Sequence, residues 1–273
     1  MIENKNLIVS MTSIPERQEN LFRCLESVLN QTLIPYKFIL YFQGTKDDIF
    51  IKEILNFEEE YEHFEIRYIN SKYRSYSKFY YAMLEYGDTH DILILDDDII
   101  LSNRFLEMFY TEKNKDKSND TAYAYSMNKI DYNEKYKIIF RIHKLTYTDT
   151  SIKSRILLFN SGHGTLFPKG YFNKKWFNSN IDYLIKLFYS SDELGLFFHH
   201  LMFNKSTQGV EYLDKLGIIK YMSSDNKLFN LNVSKYKLFY LVLNEELKKL
   251  KFDYKAYEKM YNEENSRKDL ILV

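Results

Sequence analysis

The segment Asp91 to Leu95 (DILIL) carries four consecutive apolar side chains and runs directly into Asp96-Asp97-Asp98. Successive side chains on a strand point to opposite faces, so a run that is apolar on both needs cover on both. A central strand between two helix layers meets that need. The upstream text supplies the layers. Leu7 to Met11, Phe38 to Phe42 and Phe64 to Ile69 read as strands. Between them, Leu21 to Leu29 and Asp47 to Tyr61 read as helices, and Ser75 to Tyr86 as a third before the DILIL strand. Strands alternating with crossover helices give a mainly parallel sheet whose ligands bind beyond the carboxyl ends of the strands. The loops at Thr12 to Arg17 and Asp96 to Ile99 are therefore expected on one rim.

From about Asp116 the rhythm weakens. Ala122 to Met127 and Lys137 to His143 read as strands, and Asn160 to Gly164 as a Ser/Gly loop, so the second half is expected to be a mixed sheet. Val233 to Val273 shows Lys/Glu-rich helical text with Leu243, Leu247 and Leu250 in an apolar stripe and is read as a helical C-terminal extension. The expected division is a domain over 1–232, with a first half to about 112 and a second over 113–232, followed by 233–273.

Charge and composition exclude several function classes. Lys+Arg and Asp+Glu both number 38, leaving no net charge to draw the chain to duplex nucleic acid, and no nucleic-acid partner is expected. With 45% hydrophobic residues and only three prolines, disorder is excluded. Cys24 is the single cysteine, so an intrachain disulfide and a cysteine-based zinc site are both excluded. The N-terminal text lacks a signal-peptide core, and no apolar run approaches the roughly 20 residues of a membrane span. A cytoplasmic location is expected.

The acidic triplet carries the chemistry. Adjacent carboxylates repel by on the order of 3 kcal/mol per pair at about 5 Å and an effective dielectric near 20, so a partly buried triplet needs a compensating charge. A divalent cation is the simplest one. On an extended segment Asp96 and Asp98 point one way and Asp97 the other, and two carboxylates at a strand end suit Mg²⁺ or Mn²⁺. The alternative is a solvated acidic turn, with Asp98 or a neighbour capping the helix near Ser102.

With strand and triplet in place, the chain resembles the nucleotide-sugar-dependent glycosyltransferases of the GT-A fold, in particular the bacterial capsule and lipopolysaccharide enzymes grouped around family 2. The resemblance rests on six segments in order. IVSMTSIPER (8–17) is similar to the opening strand and nucleotide loop, LESVLNQTLIP (25–35) to the next helix and its exit, and RSYSKFYYAMLEY (74–86) to the helix before the metal strand. DILILDDDIILSNRFLEMF (91–109) resembles the DxD segment, SGHGTLFPKGYF (161–172) the Gly-containing acceptor-side loop, and SSDELGLFFHH (190–200) the late acidic pair. Two departures stand out: the second strand ends Tyr41-Phe42-Gln43-Gly44 where many relatives place an Asp against the base, and Leu194-Gly195 follow the acidic pair where an aromatic is common.

The resemblance implies an α/β GT-A fold and transfer of a sugar from a nucleotide diphosphate, a UDP-sugar first, to a hydroxyl of a glycan or lipid-linked acceptor, with inversion. It implies Mn²⁺ or Mg²⁺ on Asp98 and Asp96, with Asp96 also near the ribose and Asp97 orienting the loop. Thr12, Ser13 and Arg17 would line the donor pocket, or Thr12 and Ser13 would cap the Leu21 helix. Lys78 and Arg74 would reach the diphosphate, or remain solvated helix charges. Gly162, His163 and Gly164 would face the acceptor. Asp192 is the first candidate for the base and Glu193 the second, with helix capping as the other use of Asp192. His199 and His200 read as structural imidazoles. Lys235 to Leu250 suits either contact with an anionic membrane at the inner face, where lipid-linked acceptors lie, or a helical lid or dimer contact. A metal-dependent nucleotidyltransferase and a non-catalytic carbohydrate-binding protein on the same fold are the rival readings.

Overall fold

The computed structural model describes residues 2–116, 118–135, 137–144, 153–189, 191–210, 218–222 and 240–266. In chain order the elements are β1 (Ile2–Ser13), α1 (Gln18–Leu29), β2 (Leu33–Phe42), α2 (Glu53–Glu60), β3 (Phe64–Tyr68), α3 (Ser77–Tyr86), β4 (Asp91–Leu95), β5 (Ile99–Leu101) and α4 (Phe105–Lys115). Then come β6 (Thr121–Ala124), β7 (Met127–Asn133), β8 (Lys137–Lys144), β9 (Lys153–Ser154), β10 (Leu157–Phe159), β11 (Thr165–Phe167), α5 (Lys174–Leu187), α6 (Asp192–Met202), β12 (Ser206–Gly209) and β13 (Ile218–Tyr221). Helix α7 covers 240–249 and α8 covers Tyr254–Asn265.

Among the described residues the main sheet has the order β3-β2-β1-β4-β11-β6-β12-β9. The β3, β2, β1 and β4 pairings are parallel, whereas β11 runs antiparallel to both β4 and β6. The chain is thus an α/β fold with a mainly parallel first half and a mixed second half.

Strand β4 is covered as its composition requires. Ile92 and Ile94 enter one core with Phe79 and Met83 of α3, Phe177 of α5 and Leu196 of α6, while Leu93 and Leu95 enter the other with Leu25 of α1 and Phe105 of α4. Helices lie on both faces. In β1, Leu7, Val9 and Met11 face the second core and Ile8 the first. Ser10, next on the first face, is a buried exception whose hydroxyl donates to the carbonyl of Lys78.

Three expectations need correction. Asp47 to Tyr61 is not one helix: Thr45 and Asp48 form a capping box on a single short turn, and α2 begins at Glu53. The buried carboxamide of Gln18 accepts from the N–H groups of Phe50 (2.9 Å) and Ile51 (3.2 Å), holding that backbone out of the helix. Ser75 to Tyr86 divides between the end of a tight 3₁₀ segment, Ser71–Tyr76, which is itself kinked at Arg74 (φ 48°, ψ −132°), and α3. Thr165 to Phe167, read as part of a loop, is a strand inside the main sheet.

The C-terminal helices join the first core through Leu243, Leu247, Tyr257 and Tyr261. Asn244 docks α7 on β8 by accepting from Ile138 N–H (3.2 Å) and donating to Ile138 O (2.8 Å), in place of a neighbouring strand. Lys235 and Lys237 of the basic-aromatic stretch lie outside the described residues. Among the described residues no helix is long and apolar enough to cross a membrane.

Candidate active site

The parallel pairing of β1 with β4 brings their carboxyl ends together, Met11 opposite Leu95. The loops that follow meet on one rim. Ser13 donates its hydroxyl to Asp97, and the Arg17 guanidinium bridges Asp97 Oδ1 (3.0 Å) and Asp98 Oδ2 (2.7 Å). Neither Thr12 nor Ser13 caps a helix: Arg17 occupies the N-cap of α1, and the Thr12 hydroxyl donates to Tyr41 O (2.8 Å). Gln43, at the end of β2, donates to Thr12 Oγ1 and to the carbonyl of Arg74 (both 3.1 Å), tying the rim loops together and holding Arg74 in its left-handed conformation.

Within the triplet, Asp97 is turned inward and buried, while Asp96 and Asp98 keep part of their side chains exposed. Asp98 caps no helix, since α4 has Arg104 at its N-cap. Burial pushes the Asp97 carboxyl up to about 6 despite Arg17 and Ser13. Burial and the charge of Asp96 raise Asp98 as well. Asp96 goes the other way, because the Lys78 ammonium outweighs its burial. Arg17 and Lys78 therefore supply part of the compensating charge that the sequence called for.

Lys78 lies at 2% exposure in the first turn of α3, with its Nζ 2.7 Å from Asp96 Oδ1 and 2.9 Å from Asp192 Oδ2. It is not a solvated helix charge. Burial opposes its ammonium, but Asp192 and Asp96 raise it above the ordinary lysine value. Arg74, by contrast, sits on the exposed edge with its guanidinium 3.9 Å over the ring of Tyr189.

The late acids open α6, where negative charge is favoured by the helix dipole. The side chain of Asp192 caps no backbone group; it receives the Ser161 hydroxyl (3.1 Å) and pairs with Lys78. Glu193 Oε1 accepts from the N–H of Ser161 (3.1 Å). Its carboxyl is pushed up to about 8, by burial first and then by the Asp192 charge.

The Gly-containing loop splits in its roles. Gly162 lies directly against Asp96, whose N–H donates to Gly162 O (2.9 Å), and a Cβ there would overlap the Asp96 carboxylate. His163 Nδ1 is 2.9 Å from Ser126 Oγ and 3.1 Å from Asn160 Nδ2. Gly164, at φ 101°, faces α4 instead, where a Cβ would stand 2.8 Å from Phe105. His199 and His200 are buried among aromatic rings on α6: Asn173 N–H donates to His199 Nε2 (3.1 Å), and His200 Nδ1 is 3.1 Å from Tyr171 Oη. Burial lowers both imidazoles, His200 to about 3.

Two residues of this neighbourhood lie inside segments of the family resemblance but are not among the site residues it implies. Ser161 touches both acids. Tyr76 is fully buried, donates its hydroxyl to Ser191 O (3.1 Å), and lies where a Cβ on Gly195 would stand 2.7 Å from its ring. The space beside Gly195 is thus filled by an aromatic ring from another element.

No three His, Cys, Asp or Glu side chains converge as a closed metal cluster among the described residues. The triplet offers two half-exposed carboxylates, a hard-oxygen set. That fits a Mg²⁺ or Mn²⁺ ion, which is held by one or two carboxylates and completes its shell with phosphate and water.

No curated protein matches the sequence significantly. Among solved structures, S. aureus TarS aligns with a TM-score of 0.51 at 10% identity, covering 86% of this chain and 39% of that one. Its 1–349 fragment in complex with UDP gives 0.48 at 10% identity (86% and 65% covered), and the complex with UDP-GlcNAc 0.48 at 9% (84% and 61%). The chain spans less than two thirds of the length of these structures, and at such identity the likeness is one of fold. The model for "Glycosyl transferase family 2" matches residues 11–176, more than half of the chain. That span runs from β1 into α5 and takes in the triplet, Lys78 and Gly162; the chain belongs to glycosyl transferase family 2 and has the GT-A fold.

Proposed function

We propose that this chain transfers a sugar from a nucleotide diphosphate sugar, a UDP-sugar first, to a hydroxyl of a glycan or lipid-linked acceptor, with inversion, in bacterial surface-polysaccharide synthesis at the inner face of the cytoplasmic membrane. The observation that carries the reading is one rim holding both a half-exposed carboxylate pair, Asp96 and Asp98, and a carboxyl of raised pKa, Glu193. Transfer needs both. Asp96 and Asp98 would hold Mn²⁺ or Mg²⁺ against the donor diphosphate, and that cation supplies electrostatic stabilisation of the leaving group. Thr12, Ser13 and Arg17 line the donor side, Asp97 orients the loop from below, and Arg74, exposed just before α3, would reach toward the diphosphate. Gly162 and His163 line the acceptor side, with Gly164 shaping the loop behind them.

Of the two acids, Asp192 is bound up with Lys78 and Ser161, whereas the carboxyl of Glu193 is poised near neutral pH, where a general base is most effective. The acceptor hydroxyl loses its proton to Glu193 Oε as its oxygen attacks the anomeric carbon. The bond from that carbon to the diphosphate breaks, and the diphosphate leaves with the electron pair.

The test is release of nucleoside diphosphate from UDP-, GDP- and CDP-sugars by the purified chain, with Mn²⁺, Mg²⁺ or chelator, beside Asp98→Ala. Metal-dependent release with one donor, lost in Asp98→Ala, supports the reading; release that ignores chelator and survives Asp98→Ala overturns the metal role. Binding of a sugar nucleotide without turnover, with acceptors present, favours the carbohydrate-binding alternative.

A further inference from the structure

Five groups from four separate segments close a ring around Lys78. Lys78 pairs with Asp96 and Asp192; Asp192 accepts from the Ser161 hydroxyl; Gly162, next in the chain, accepts from the N–H of Asp96. The backbone of Lys78 is itself fixed by Ser10 of β1. A buried ammonium must be paired, and leaving Asp192, whose side chain is buried, for a phosphate would strand that carboxylate without its counter-charge. We infer that Lys78 is a positioning residue, not a ligand of the donor diphosphate: its ammonium fixes the distance between Asp96 on the donor side and Asp192 on the acid side. Through Ser161 and the chain itself, that distance sets where Glu193 stands relative to the donor. The positioning role rests on the transfer reaction proposed above; the ion-pair linkage does not.

The experiment compares the full chain with Lys78→Met and with Lys78→Met/Asp192→Asn. Without substrate, Lys78→Met should melt about 5–10 °C lower, because two carboxylates lose their partner, and the double variant should regain at least about half of that loss. Calorimetry with UDP should give an affinity for Lys78→Met within about threefold of wild type, since a positioning residue makes no phosphate contact. Turnover should fall by about 100-fold, and the acid limb of its pH profile should move up by about one unit, because the cation that favours ionised neighbours is gone. If Lys78→Met does not fold, the double variant carries the binding measurement, and its acid limb should move down instead, because the Asp192 charge that raises Glu193 goes together with the Lys78 cation that lowers it.

A loss of UDP affinity beyond about 30-fold in a folded variant would make Lys78 a phosphate ligand and overturn the inference. So would a double variant no more stable than the single, or an acid limb that stays in place while stability drops, which marks a merely structural lysine. Should the wild type neither bind UDP nor turn over any sugar nucleotide, the transfer reading and the positioning role fail together, and the melts alone decide the linkage.

Discussion

The two acidic clusters of this site are built in opposite ways. The triplet at Asp96 to Asp98 has two cations at hand, Arg17 and Lys78, and its outer carboxylates open toward solvent. At the second pair, Asp192 takes a share of Lys78, and Glu193 accepts from the N–H of Ser161. The chemistry differs accordingly: charge stays on the triplet's rim, where in the proposed reaction a cation and a diphosphate would join it, while burial and the Asp192 charge keep a proton on Glu193 until the pH approaches about 8. In the proposed reaction, compensation and burial, more than the number of carboxylates, divide the labour between holding a donor and moving a proton.

The largest effect should come from breaking the proton side. Glu193→Gln keeps an oxygen to accept from Ser161 but cannot take a proton, so kcat should fall by about 10³-fold while UDP affinity stays near wild type. Retention of more than about a tenth of wild-type kcat would hand the role to Asp192. In the unmutated chain kcat should rise with pH and level off above about 8, as Glu193 ionises. On the donor side, Asp98→Asn should lower kcat/KM by about 10²-fold and weaken the response to Mn²⁺. Asp97→Asn should cost about tenfold or less, because that carboxylate faces Ser13 and Arg17 beneath the rim; equal losses from the two would erase the distinction drawn within the triplet.

The same contrast governs how much could be read in advance. The triplet is legible because its three residues are contiguous and follow a strand whose four apolar residues demand burial on both faces. The acid side is assembled from distant text. Tyr76 reaches Ser191 across 115 positions, and Ser161 reaches Asp192 across 31, so neither leaves a local pattern. Strand β11 has three residues between Gly164 and Pro168 and draws its partners from β4 and β6, which no periodicity over so short a run can reveal. The failed helix over 47–61 has the same origin, since the group that interrupts it is the side chain of Gln18.

A smaller effect should follow from Gly195→Ala, which tests whether packing alone places the pair. The added methyl would press on the buried ring of Tyr76 and on the turn that Tyr76 holds. Overpacking of this kind costs about 1–3 kcal/mol, or several degrees in Tm, and a shift of the acids of even a few tenths of an ångström should cost about tenfold in kcat. An unchanged Tm would mean that α6 is free to move away from Tyr76. A lower Tm with full activity would mean that Glu193 is positioned from the Ser161 side alone.

The smallest effect is on stability, and its sign isolates the proton on Glu193. A carboxyl raised to about 8 in the folded chain binds a proton that the unfolded chain has already lost above its ordinary value of 4.5. Stability from this group is therefore fully present below the unfolded value and is lost as pH rises through about 8. The buried imidazoles work in the opposite sense: His199 and His200 stay neutral in the fold while their unfolded counterparts gain protons below about 6.5, so their contribution falls as pH falls. Tm of the wild type should thus decline from both sides of an optimum. Glu193→Gln removes the share of the alkaline arm that belongs to this group, so its Tm should be flatter than that of the wild type between about pH 4.5 and 8 and should run parallel to it outside that range. Parallel curves over the whole range would mean that Glu193 holds no proton at neutral pH, and the contrast between the two clusters would collapse to one of position.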